Sequence, residues 1–379
     1  RKTRVLFYAH YDIISAPLDR WHSDPFTVSG LNGYLYGRGV TDNKGPIMAV
    51  ACAAADLLSR RALEIDLVLL IEGEEECGSS GFGETVQKHK IMLQNLFGDI
   101  DAILVSNSTW IAEDQPCITY GLRGVMHCAL EITSNLLDLH SSIEGGAVAE
   151  PMIDMVKLLA TLTDNHRQVQ IPGFYDPVQP ETEEEKQLYK LLSDVTQKQA
   201  SSFVARWREP SLTVHTIEIS GPKNATVIPG TVKSQVSLRI VPDQDLDTIV
   251  KSLCDYLSAS FNELHSTNAL QVCIAECSFQ FFKVNVEHTA DWWLGRLDDP
   301  WFNALESAVQ EEWGSEPLHI REGGSIPSVP YLEKEFGCHA LHLPMGQSLD
   351  QAHLPDERIS LANLQKGKAV IGRFILKVH

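Results

Sequence analysis

Residues 65–71, Ile-Asp-Leu-Val-Leu-Leu-Ile, run straight into Glu72-Gly73-Glu74-Glu75-Glu76-Cys77-Gly78-Ser79. A short apolar run of this kind reads as a buried parallel strand. Its carboxyl end then carries Glu72, Glu74, Glu75 and Glu76 together. Four carboxylates so placed repel one another, and a bound cation is the simplest offset. Neighbouring side chains leaving a strand diverge, so one carboxylate can bind a metal while the next serves as general base on a water. A solvated acidic loop is the plain alternative, and this stretch alone leaves it open. Cys77, beside Glu76, reads as a small buried residue, with a surrogate metal ligand as the alternative.

The same pattern of apolar strand and polar end recurs. Residues 5–9 form a strand that stops at His10-Tyr11-Asp12. A parallel strand of an α/β protein presents its site at that end, and Asp12 can orient the His10 imidazole. Residues 102–106 form another strand, followed by Asn107-Ser108-Thr109-Trp110. Asp42 stands before an Ala-rich helix at residues 46–58. Taken singly, Asp42 reads as a helix cap and His10 as a satisfied structural histidine. The alternation predicts a mixed, mostly parallel α/β sheet flanked by helices.

From about residue 121 the periodicity changes: strands at 125–132, 212–219, 235–241 and 270–274 interleave with helices at 150–162 and 245–261. That β-α-β-β-α-β order predicts an inserted ferredoxin-like α+β lid. Residues 172–186, rich in Pro and acid, read as a solvated loop opening a helix. A helix at 301–311, a strand at 338–343 and a closing helix at 361–378 return to the first pattern. The expected organisation is a catalytic domain in two parts, 1–120 and 289–379, with the lid at 121–288.

A chain of 379 residues is comfortable for two domains. Fifty acidic residues against 31 basic ones give a formal net charge of −19, which argues against nucleic acid and anionic membranes as partners. No 18-residue apolar run predicts a membrane span. The eight cysteines include Cys273 and Cys277 but no Cys-x-x-Cys pair, a usage that fits free thiols in the reducing cytoplasm. The chain starts without Met and enters a strand at once, which reads as a piece of a longer polypeptide.

The motifs now combine. They are His10-Tyr11-Asp12, the run from Gly37 to Gly45 (Gly-Arg-Gly-Val-Thr-Asp-Asn-Lys-Gly), Glu75-Glu76, Asp138-Leu139-His140-Ser141, residues 238–242 (Leu-Arg-Ile-Val-Pro), Gly323-Gly324-Ser325-Ile326-Pro327 and Ala352-His353. In this order they resemble the co-catalytic dizinc metallopeptidases of clan MH, family 20, the group of carnosinase, cytosolic dipeptidase and glutamate carboxypeptidase. The resemblance implies two zinc ions per chain, with manganese as the alternative ion. Asp42 would bridge them, Glu76 and His353 would complete one site, and His10 would serve the other. Glu75 would be the general base, with Asp12 behind His10. The resemblance also implies a homodimer through the lid, with His140 reaching the neighbouring subunit's site to stabilise an oxyanion. Thr226, Arg239, Gly324 and Ser325 would hold the substrate, Arg239 pairing with its terminal carboxylate.

One position departs from this family. Where its members carry a metal-binding Asp or Glu, this chain has Asn107, so the His10 side loses an anionic ligand. Asn107 to Trp110 and Pro116 to Gly124 look like the peptidase-like subunit of the fungal glutathione-degrading complex. That likeness implies cytoplasmic hydrolysis of a small peptide such as glutathione or Cys-Gly, together with a glutamine-amidotransferase-like partner. The alternative is a catalytically weak or inactive scaffold subunit that binds and activates the partner hydrolase.

Overall fold

A computed structural model describes residues 1–91, 97–274 and 289–378. Cys277 and the expected lid boundary at residue 288 lie outside the described residues. The larger sheet has the order Trp293–Leu294, Cys117–Leu122, His339–His342, Ala102–Val105, Arg4–His10 and Asp66–Glu72, with Leu318–Glu322 also paired to Cys117–Leu122. The four strands from His339–His342 to Asp66–Glu72 run parallel, while Trp293–Leu294 is antiparallel to its neighbour. The sheet is therefore mixed and mostly parallel, as expected.

Arg4–His10 is buried on both faces, which is why its residues read as continuously apolar. Val5, Phe7 and Ala9 join a core with Val50, Leu305 and Phe374, from helices Lys44–Ser59, Pro300–Trp313 and Leu361–Lys377. Leu6 and Tyr8 face the other way, toward Val329 and Leu332 of helix Ser328–Phe336. Asp66–Glu72 corrects one expectation: it is parallel but lies at the sheet edge, with Leu69 48% and Ile71 37% exposed. Arg4–His10, flanked by it on one side and by Ala102–Val105 on the other, is the buried strand of the pair. Its parallel register sets His10 opposite Glu72, so both strands deliver their polar ends to one edge.

The second sheet has the order Ala269–Ile274, Gly124–Thr133, Thr231–Ile240 and Ser211–Ile219, with all neighbours antiparallel. Fourth, first, third, second is the ferredoxin-like order, as the strand–helix alternation predicts. Met126, Cys128, Leu130 and Ile132 alternate into a core with Leu158 and Leu253, from helices Pro151–Thr161 and Leu246–Glu263. Leu238 and Ile240 point into the same core, so Arg239 between them faces away from the helices.

Helices Glu183–Thr196 and Ala200–Trp207 lie within the stretch read as lid. Their Tyr189, Leu192, Phe203 and Trp207 nevertheless pack with Trp110, Cys117, Leu318 and Ile320 of the larger-sheet part. The acidic run there is the first helical turn, held by a capping box between Thr182 and Glu185. Among the described residues, no helix is long and apolar enough to cross a membrane.

Candidate metal centre

Four loops converge at the carboxyl edge of the parallel strands. His10 ends Arg4–His10, and Glu75 and Glu76 open the short 3-10 turn that follows Asp66–Glu72. Asp42 precedes helix Lys44–Ser59, and His353 precedes strand Arg358–Ser360. Asp42 does not cap its helix, where Asn43 holds the cap position. Its Oδ1 lies 2.9 Å from His10 Nε2 and its Oδ2 2.9 Å from His353 Nε2. One carboxylate thus offers each oxygen to a different imidazole, as a bridge between two cation positions requires. His353 Nε2 is also 3.0 Å from Glu76 Oε1, and Glu75 Oε2 is 3.9 Å from His10 Nε2. Donor atoms of His10, Asp42 and Glu76 all lie within 4.8 Å of one another, close enough to share an ion. Behind them, Asp12 Oδ1 is 3.3 Å from His10 Nδ1, and its Oδ2 accepts a hydrogen bond from Glu76 N at 2.9 Å.

The electrostatics fit a divalent cation. Burial disfavours charge on His10, but its hydrogen bond to Asp42 and the charges of Glu75, Asp42 and Glu76 outweigh that and hold the imidazole at about 9. Hydrogen bonds to Asp42 and Glu76 carry His353 to about 10. Burial also opposes ionisation of Asp42, yet the two imidazoles hold its carboxyl well below the usual range. Burial lifts Glu75 to about 7; His10 pulls it down while Asp42, Glu76 and Glu72 push it up. Protons on His10 and His353 supply positive charge that a metal would replace, and imidazole with carboxylate is a donor set suited to zinc or manganese.

A pH dependence follows. Because both imidazoles bind protons more tightly folded than unfolded, their stabilisation is full below about 6.5 and is lost as pH rises through about 9 to 10. Glu75 acts in the same direction, its contribution falling between its ordinary 4.5 and about 7. Half-exposed His353 contributes less, because solvent screens it. Chelator-treated protein is therefore expected to lose melting temperature between pH 6.5 and 9. Metal-loaded protein should show a shallower slope, because its ligands are already deprotonated. Equal slopes in calorimetry of the two forms would contradict this account.

Asn107 follows Ala102–Val105 and reaches the cluster, its Nδ2 3.4 Å from His10 Nε2. Its Oδ1 accepts from Ser108 N at 2.5 Å, and its carbonyl oxygen lies 2.7 Å from Nε2 of the buried His342. The other expected site residues form two further groups. Arg239 Nη1 donates to Ser325 Oγ at 2.9 Å, next to Gly324. His140 is paired with Val227 across a short two-stranded ladder, which places it beside Thr226. His140 Nδ1 accepts from Ser142 N at 3.2 Å, and Thr226 Oγ1 donates to Asn224 Oδ1 at 2.9 Å. Among the described residues no hydrogen bond or ion pair joins His140 or Thr226 to the metal cluster of the same chain. Cys77 is exposed rather than buried, because the 3-10 turn lifts it out of the sheet edge.

Glu357, Arg38 and Tyr8 shape the site, although the sequence pattern gives none of them a role. Fully buried Glu357 accepts from Arg38 Nη1 at 2.8 Å and Gly39 N at 3.0 Å through Oε2. Its Oε1 accepts from Thr41 N at 3.0 Å and Asp42 N at 3.1 Å. Its position four residues after His353, and an Arg within the Gly37–Gly45 motif, are the signals that could have flagged this pair. Beneath the glutamate turn, Tyr8 Oη donates to the Glu72 carboxylate, which also accepts from Ser328 Oγ at 3.2 Å.

Two imidazoles sharing one carboxylate, with a further carboxyl poised beside them, are equipment for metal-dependent hydrolysis, and the sheet with its inserted lid narrows the class to metallopeptidases. The chain belongs to peptidase family M20/M25/M40, whose profile matches residues 6–377. It is 37% identical over 368 residues to the "Probable di- and tripeptidase DUG2" of Saccharomyces cerevisiae, a match covering 96% of this chain and 40% of that protein. This chain therefore spans less than half the length of that relative. It is 36% identical to the "Cys-Gly metallodipeptidase DUG1" of Candida albicans, over 99% of this chain and 78% of that one. The solved structure of the dipeptidase Dug1p from Saccharomyces cerevisiae superposes with a TM-score of 0.83 at 31% identity, covering 100% of this chain and 80% of that one. The family expected from the motifs is the family found.

Proposed function

We propose that this chain is a metal-dependent di- or tripeptidase that hydrolyses small peptides of the Cys-Gly and glutathione kind in the cytoplasm. The observation that carries this reading is Asp42, each oxygen on a different imidazole, beside a Glu75 carboxyl that burial lifts to about 7. His10 with Asn107 would hold one ion, Glu76 with His353 the other, and Asp42 both; zinc is the proposed ion and manganese the alternative. The ions would supply Lewis-acid polarisation of the scissile carbonyl and a more acidic water. Glu75 takes a proton from the attacking water as its oxygen bonds to the carbonyl carbon, then returns that proton to the amine nitrogen as the C–N bond breaks. Asp12 fixes the His10 ring throughout. Arg239 with Gly324 and Ser325 holds the terminal carboxylate. His140 and Thr226, apart from this cluster in their own chain, serve a second copy, so the working form is a homodimer.

Neutral Asn107 favours a second reading, a scaffold that activates a glutamine-amidotransferase-like partner. The test is hydrolysis of Cys-Gly and glutathione by chelator-treated protein reloaded with zinc or manganese. Metal-restored turnover is the expected result; a dimeric, metal-loaded protein without turnover hands the case to the scaffold. Asn107→Asp adds a charged ligand and is expected to tighten metal binding about tenfold, or ~1.4 kcal/mol, by competition with a chromophoric chelator. Unchanged affinity would mean that residue 107 ligates nothing.

A further inference from the structure

Arg123 joins the two sheets: it follows Cys117–Leu122 of the larger one and precedes Gly124–Thr133 of the smaller. In the sequence it falls within the Pro116 to Gly124 stretch, which gives Arg123 itself no role. Its side chain grips the loop that carries Gly324 and Ser325. Nε donates to Gly323 O at 3.0 Å, and the Arg123 backbone N donates to Gly324 O at 3.2 Å. Ser325 Oγ donates to the Arg123 carbonyl at 2.5 Å and accepts from Arg239 Nη1 at 2.9 Å. The loop sits directly on the guanidinium, for a Cβ on Gly323 would lie 3.3 Å from Arg123 Nη2.

The remaining contacts of Arg123 are neutral: Nη1 reaches Glu209 O at 3.3 Å and Ser211 Oγ at 3.4 Å. Among the described residues no carboxylate forms an ion pair with Arg123 or with Arg239. Both arginines are half-buried; burial first and then the charge of Arg239 bring Arg123 down to about 10, and burial lowers Arg239. Two half-buried like charges without a counter-ion are costly, and an anionic ligand relieves that cost.

We infer that Arg123 is the second cation and the positioning residue of a carboxylate pocket completed by Arg239, Ser325 and Gly324, which selects peptides with a free terminal carboxylate. Its role is double. The backbone of Arg123 aims the Ser325 hydroxyl, which in turn aims Arg239, and its own charge deepens the field the carboxylate meets. The peptide assignment rests on the hydrolase reading above; the pocket itself does not.

The test measures binding to Glu75→Gln protein, in which peptide persists, using Cys-Gly and its C-terminal amide. Arg123→Met is expected to weaken Cys-Gly by about 10- to 100-fold and to leave the amide unchanged, while Arg123→Lys recovers part of the loss. Equal weakening of both ligands, or of neither, overturns the inference. A second measurement separates it from the function proposed above. In chelator-treated wild-type protein, acetate at fixed ionic strength should raise the melting temperature where acetamide does not, and Arg123→Met should abolish the increment. Acetate stabilisation without peptide binding keeps the pocket and sinks the peptidase reading. No acetate increment in the wild type sinks the pocket.

Discussion

Glu75→Gln is expected to lower Cys-Gly turnover by roughly 10²- to 10⁴-fold, the range for loss of a positioned general base, while metal content stays at the wild-type level. Gln keeps the shape of the side chain but cannot take a proton from water. Glu75 approaches His10 to 3.9 Å but is not one of the three residues, His10, Asp42 and Glu76, whose donor atoms all lie within 4.8 Å of one another. Glu76→Gln should behave in the opposite way, losing metal first and activity as a consequence. Stability sharpens the contrast. A buried carboxyl raised to about 7 is a liability once ionised, so Glu75→Gln should melt no lower than wild type at pH 8. Retained turnover in Glu75→Gln, or metal loss in step with activity, would remove Glu75 from the role of base.

Parts of this arrangement are legible in the sequence for definite reasons. His10 and Glu75 are visible because an apolar run stops beside them, and a parallel strand ends where its loop carries chemistry. The lid is visible because its strands alternate with period two around two amphipathic helices. Position along the chain says nothing of His353, which meets Glu76 across 277 residues; only the family resemblance joins them. The apolar run predicts a buried strand, yet Asp66–Glu72 lies at the sheet edge, because an edge strand of a parallel sheet keeps an apolar inner face and hydrophobicity alone does not count its neighbours. The helices Glu183–Thr196 and Ala200–Trp207 were assigned by chain order to the lid, whereas Trp207 and Phe203 find their core against Trp110 and Leu318. Arg123 and Glu357 left no signal of periodicity at all. Both act through backbone groups of remote loops, and a hydrogen bond to a distant amide imposes no pattern on neighbouring residues.

Glu357→Ala is expected to cost about 3–5 kcal/mol of folding stability, the range for removing one partner of a buried ion pair, measured by urea unfolding of chelator-treated protein. The side chains of Arg38 and Glu357 are 3% and 0% exposed, so the orphaned guanidinium has no water to turn to. Three backbone donors, at Gly39, Thr41 and Asp42, lose their acceptor in the same stroke. Arg38→Met should cost less: Glu357 keeps those three N–H groups, and what is lost is the 2.8 Å pair and the packing of Arg38 over Trp21. The same hydrogen bonds tie stability to chemistry, since the turn they hold ends at the carboxylate that faces both imidazoles. Glu357→Gln keeps one carbonyl oxygen and turns an NH₂ toward backbone donors, so it should fold yet hold Asp42 less firmly. Weaker metal binding in Glu357→Gln at native near-ultraviolet dichroism would make Glu357 a positioning residue for Asp42. Wild-type metal affinity in the same protein would confine Glu357 to holding the fold.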